Sequence, residues 1–191
     1  MTRKIAVLVG SLRKDSFSRK IARNIAALAP KGYEFEEIDI SRVGFYNQDL
    51  DGHEPAEWLE LRAKIKAADA VLFVTPEYNR SVPGVLKNAI DIASRPYGHS
   101  AFEGKPAAVV SNSPGNIGGF GAHHHLRQTL VFLNMPTLQQ PEMYLSGVGD
   151  WLDDSGKVKS EKTREFLASF ARAFANWIET VAAKAGVSEA A

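Results

Sequence analysis

With 191 residues, 45% hydrophobic and 24% charged side chains and a formal net charge of +1, the chain has the composition of an ordinary globular protein with a substantial core. Balanced charge offers nothing that would attract nucleic acid in bulk, and the absence of cysteine excludes disulfides, thiolate chemistry, iron–sulfur clusters and Cys-ligated zinc. Any redox work therefore needs a bound organic cofactor. No apolar run approaches the ~20 residues that span a bilayer. Met1-Thr2-Arg3-Lys4 runs into a strand-like segment without the h-region of a secretory signal. The expectation is a single cytoplasmic domain, residues 1–191, that meets no membrane.

Ile5–Val9 opens the chain as a short continuous apolar run, a pattern repeated at Ala70–Thr75 and Ala107–Ser111. Such runs, lacking alternation, read as parallel strands buried on both faces. Tyr33–Ile40 alternates, which suits a strand nearer an edge, and Thr137–Leu145 reads as a last strand interrupted by Pro141. Helical periodicity fills the intervals, over Ser18–Leu28, Ala56–Ala67, Val85–Ala93, Ala122–Leu133 and Glu161–Ala185. The last helix places Phe166, Phe170, Phe174, Trp177, Ile178 and Val181 on one stripe. Val43–Glu54 and Gly147–Lys159 are expected to be long loops. Alternating strand and helix imply right-handed crossovers and a sheet covered on both faces. The expected fold class is α/β: a flavodoxin-like three-layer sandwich with a five-stranded parallel sheet in the order 2-1-3-4-5.

Ligands of open α/β sheets sit beyond the carboxyl ends of the strands, so the segments after strands one, three and four matter most. Gly10-Ser11-Leu12-Arg13-Lys14-Asp15-Ser16-Phe17-Ser18-Arg19 joins a buried strand to a helix start and combines three hydroxyls, the cations Arg13 and Lys14 and free amides. Those features suit a phosphate dianion, although a capped turn with solvated cations uses the same residues. The segment matches neither G-x-G-x-x-G nor G-x-x-x-x-G-K-[ST], which counts against a dinucleotide grip and an NTPase. Thr75-Pro76-Glu77-Tyr78-Asn79-Arg80-Ser81-Val82-Pro83-Gly84 is stiffened by its prolines and carries an aromatic, an amide and two charges; it suits a planar heterocycle, or is a rigid connector. Ser111–Gly121 holds Gly115, Gly118, Gly119 and Gly121, which allow close backbone approach to a flat ligand.

On these motifs the chain resembles the NADPH-dependent FMN reductase family, within the flavodoxin-like quinone and chromate reductases. The matching residues are Gly10-Ser11-Leu12-Arg13 with Ser16 and Ser18; Pro76-Glu77-Tyr78-Asn79 with Ser81, Pro83, Gly84 and Leu86-Lys87-Asn88-Ala89-Ile90-Asp91; and Gly118-Gly119. Similarity continues through His125-Leu126-Arg127-Gln128 to about Glu142. The resemblance implies that Ser11, Arg13, Ser16, Phe17 and Ser18 grip the FMN phosphate. It implies that Pro76, Glu77, Tyr78, Asn79, Ser113, Gly118 and Gly119 hold the isoalloxazine. A homodimer, often paired further into a homotetramer, is implied as well.

His123-His124-His125 imitates a metal site, but consecutive helical residues point about 100° apart and do not converge on one ion. One or two of them are better placed at a subunit interface or at the mouth of the flavin site. No metal is expected. Lys87 and Asp91, spaced i, i+4, suit a surface ion pair. G-x-S-x-G is absent, so a serine hydrolase has no support. The implied activity is hydride transfer from NADPH or NADH to bound FMN and then to a quinone, free flavin, azo dye or chromate, with ping-pong turnover. Tyr78 and Arg80 are the expected substrate contacts, and no side chain need be a nucleophile or general base. The alternative is a flavodoxin-type electron carrier, which usually depends on an acidic docking face that this near-neutral chain lacks.

Overall fold

The computed structural model describes residues 2–189. Five parallel strands, β1 (Arg3–Val9), β2 (Tyr33–Glu37), β3 (Ala70–Thr75), β4 (Ala107–Asn112) and β5 (Met143–Leu145), form one sheet in the order β2-β1-β3-β4-β5. Helices α1 (Phe17–Leu28), α2 (Ala56–Ala67), α3 (Gly84–Ala93), α4 (Phe120–Phe132), the single turn α5 (Val148–Trp151) and α6 (Glu161–Glu189) complete the fold. The expected class and strand order both hold.

The unbroken apolar strands have a simple cause. Successive strand residues point to opposite faces, and here both faces are covered. Ala6, Leu8, Val71, Phe73 and Val109 pack beneath α2, α3 and α4 with Trp58, Ile65, Leu86 and Leu126. Their neighbours Ile5, Val7, Leu72, Val74 and Val110 pack beneath α1 and α6 with Ile21, Ile25, Phe170 and Phe174. Burying one such side chain contributes about 1.5–3 kcal/mol, so a polar residue at either parity is costly.

Several boundaries differ from the sequence reading. β2 ends at Glu37: Ile38 gives β1 a last hydrogen bond, its amide donating to the Val7 carbonyl at 3.0 Å, and Ile38 and Ile40 are buried in the core beneath α2. The last strand is only Met143–Leu145; Thr137 makes a lone bridge to Ala107, and the chain between them runs outside the sheet. The expected loops contain a short 3₁₀ turn, Gln48–Leu50, and α5. On α6 the stripe is shifted at its start: Leu167 is buried while Phe166 is exposed. The Lys87–Asp91 pair forms, with Nζ 2.8 Å from Oδ1. No described helix is long and apolar enough to cross a membrane.

Candidate active site at the carboxyl end of the sheet

The parallel sheet brings the carboxyl ends of β1, β3 and β4 side by side, so the loops that follow them meet. Gly10 ends β1 against β3; a Cβ there would stand 2.7 Å from Thr75 Oγ1, so glycine lets the first two loops touch. In the first loop Ser11, Ser16 and Ser18 are buried while Arg13 is exposed. Ser16 caps α1, its hydroxyl accepting from the Arg19 amide at 3.2 Å. Phe17 opens the helix with its ring near two cations, its centroid 6.0 Å from the Arg13 guanidinium and 5.8 Å from Lys20 Nζ. The amides of Leu12, Lys14, Asp15, Ser16, Phe17 and Ser18 have no acceptor among the described residues. Asp15 pairs with Lys20, which holds its carboxyl below the usual range.

Asn112, at the end of β4, ties all three loops together. Its Nδ2 lies 2.9 Å from the Ser18 hydroxyl and 3.2 Å from the Thr75 carbonyl, all in a buried position. Beyond Thr75 and Pro76, Tyr78 and Ser81 exchange backbone hydrogen bonds of 3.0 and 2.9 Å. Asn79 and Arg80 form the turn between them with φ of 51° and 65°. Two successive positive φ values make a tight type I′ hairpin, a conformation costly for arginine. Tyr78, Asn79 and Arg80 stand exposed on this hairpin. The Glu77 carboxylate turns inward, accepting from the Ala122 amide at the start of α4 at 3.1 Å and lying 3.4 Å from the Arg80 guanidinium.

Gly118 and Gly119, both buried with positive φ, form the third corner. A Cβ on Gly118 would stand 2.6 Å from the Tyr144 carbonyl carbon, and one on Gly119 3.0 Å from Ser111 Cβ. Their missing side chains thus make room for protein, and the Ser111 hydroxyl fixes the turn by donating to the Gly118 carbonyl at 2.7 Å. Ser113 lies at the mouth, its amide bonded to the Leu145 carbonyl at 2.9 Å. The amides of Asn116, Ile117, Gly118 and Gly119 have no acceptor among the described residues.

Of the consecutive histidines, His123 and His124 both meet Tyr144, in different ways, and His125 meets Ser81. His123 is buried against the edge of the Tyr144 ring with Nδ1 unpaired, and burial, aided by the Arg127 charge, pushes its imidazole down to about 3. His124 Nε2 lies 3.0 Å from the Tyr144 hydroxyl, whose pKa burial and then Glu142 push up to about 12. His125 Nδ1 lies 2.9 Å from the Ser81 hydroxyl, at the rim of a groove between α3 and α4.

Residues 3–150 match the sequence pattern of the family described as NADPH-dependent FMN reductase. The chain belongs to that family. As an FMN reductase family member it is 56% identical over 176 residues to a quinone reductase of Pseudomonas putida, covering 92% of this chain and 94% of the relative. It is 45% identical to a 2-hydroxy-1,4-benzoquinone reductase of Burkholderia, covering 93% and 97%. Among solved structures it is similar to FerB, a flavoenzyme NAD(P)H:(acceptor) oxidoreductase of Paracoccus denitrificans, with a TM-score of 0.89, 43% identity and coverage of 94% and 98%.

Sequence reasoning on this FMN reductase family member missed two residues that organise the site. Asn112 stands in the Ser111–Gly121 segment with nothing in the sequence to set it apart, and only its position beside two other loops gives it a role. Arg19 was passed over as the last residue of the first segment, because nothing in its spacing shows that its guanidinium folds back over the loop.

Proposed function

We propose that the chain binds one FMN at the carboxyl end of the sheet and works as an NAD(P)H-dependent oxidoreductase delivering hydride to a quinone or similar acceptor. The observation that carries this reading is the row of unpaired amides in the β1–α1 loop, beside Arg13 and Lys14 and at the positive end of α1. A phosphate dianion is the ligand such a row fits. Ser11, Ser16, Phe17 and Ser18 complete the grip. A ring system fits the second and third loops, where Pro76, Glu77, Tyr78 and Asn79 supply backbone and edge contacts and the amides of Gly118 and Gly119, which have no acceptor among the described residues, would serve acceptors such as ring carbonyl oxygens, with Ser113 at the rim. When bound, FMN supplies the hydride chemistry. The protein's own part is to hold the ring, exclude water and orient the second reactant.

Tyr78 and Arg80, exposed on a rigid hairpin, are placed to meet whatever stacks over the ring, whether nicotinamide or acceptor. One open face admits them in turn, which gives ping-pong kinetics. The relatives' names as quinone reductases support a quinone; free flavin, azo dyes and chromate are further acceptors to assay. They also favour the enzyme over the electron carrier. Exposed Val131 and Phe132 beside the α3–α4 groove support a homodimer through that face, and a homotetramer is the next assembly to look for.

The test is direct. Purified protein is expected to be yellow with one FMN per chain, to bleach anaerobically with NADPH or NADH, and to regain its colour with a quinone. Initial-rate double-reciprocal plots are expected to be parallel. A colourless protein that neither binds added FMN nor gains thermal stability from it overturns the reading.

A further inference from the structure

Arg19 makes three hydrogen bonds, none to a group that would touch a ligand. One terminal nitrogen donates to the Arg13 carbonyl at 3.0 Å, the other to the Ser11 carbonyl at 3.3 Å, and Nε donates to Glu37 Oε1 at 2.5 Å. The guanidinium thus lies behind the β1–α1 loop, clamped between two loop carbonyls and a carboxylate at the end of β2. Both partners are partly shielded, with side chains 24% and 32% exposed.

The peptide bonds after Ser11 and Arg13, neither of which precedes a proline, are trans. In a planar trans peptide the carbonyl and the following N–H point in opposite directions. Drawing the Ser11 and Arg13 carbonyls onto Arg19 therefore turns the Leu12 and Lys14 amides to the other side, and both are among the unpaired amides. A loop left to itself would have to be ordered by the ligand, at an entropic cost drawn from affinity.

We propose that Arg19, anchored by Glu37, is a positioning residue that presets the loop with its amides facing the flavin phosphate. The proposal rests on the FMN reading above. It differs from simple charge attraction in a way that can be measured. If Arg19 acted only as a nearby cation, removing the Glu37 anion would strengthen phosphate binding, and lysine would replace the arginine. If it acts as a clamp, both changes weaken binding, because a Lys ammonium lacks the fork that spans two carbonyls and an unanchored guanidinium is free to swing away.

The experiment titrates apoprotein with FMN and with riboflavin, following quenching of flavin fluorescence, for wild type, Arg19→Lys and Glu37→Ala. Both variants keep a cation at position 19 and neither alters a buried apolar residue. The expected result is a loss of about tenfold or more in FMN affinity in each variant. Riboflavin affinity is expected to change by less than about threefold, since the neutral ligand makes little use of the loop. Tighter FMN binding by Glu37→Ala, or an unchanged FMN-to-riboflavin ratio in both variants, overturns the clamp while leaving the cofactor reading intact. Wild-type protein that binds FMN no more tightly than riboflavin overturns the phosphate site, and the clamp with it.

Discussion

Arg13 and His123 show how differently two charged or chargeable side chains are used in one molecule. Arg13 is exposed and makes no ion pair among the described residues, so its guanidinium is available to a ligand. Arg13→Ala is expected to weaken FMN by about 1.5–3 kcal/mol, the worth of a charge-assisted hydrogen bond, and to leave riboflavin unchanged. Calorimetric titration with both ligands checks this; equal losses would place Arg13 elsewhere. His123 is 1% exposed and, with its imidazole held near pKa 3 instead of 6.5, stays neutral in the fold. The unfolded chain takes up a proton below pH 6.5 and the folded chain does not, so this residue lowers stability as the pH falls between those values. By pH 5 the loss is about 2 kcal/mol, and denaturant melts of His123→Phe are expected to show a shallower decline over that range. The sequence alone could show that the three histidines do not share an ion. It could not show which of them was buried, because α4 carries no clean apolar stripe in its first turns and Tyr144 arrives from a distant strand.

Strands β1, β3 and β4 were legible because a continuous apolar run has only one comfortable place in an α/β fold, between two helical layers. The edges were not. Ile38 and Ile40 carry the same alternation as β2 yet serve the core beyond the strand's end, and periodicity does not distinguish the two uses. Likewise the three loops could be picked out from their residue types, while the reason for the glycines could not. Gly118 reads as room for a ligand and instead makes room for the backbone of β5. That reassignment has a measurable consequence within a single loop. Gly118→Ala must accept φ of 62° and a contact of 2.6 Å, whereas a Cβ on Gly115 meets only the Ser113 hydroxyl at 3.4 Å. Thermal melts are expected to show Gly118→Ala destabilised by about 1–3 kcal/mol and Gly115→Ala within about 0.5 kcal/mol of wild type. Similar losses in both would mean that the loop is less tightly docked on β5 than these distances imply.

At the level of the whole molecule, the helical layer made of α3 and α4 leaves a groove of about 600 Å³ flanked by Phe132, 73% exposed. Val131 beside it is 74% exposed. Adjacent apolar side chains left that open on one helix end fit a self-complementary contact between copies of the chain. Phe132→Asp is expected to shift sedimentation from dimer to monomer at micromolar concentration; wild type that sediments only as monomer would rule out this face as the contact. A parallel sheet also gives the molecule two unlike ends. At the end opposite the reactive loops, Arg3 opens β1 and is fastened by a fork of two 2.9 Å bonds to Glu179 and a longer one to Asp69. A tether attached ahead of Arg3 would therefore pull on a firmly stapled strand and leave the opposite end facing outward. Coupled through that point to an electrode or a resin, the protein would present the loops after β1, β3 and β4 to the bulk solution without any change to their residues.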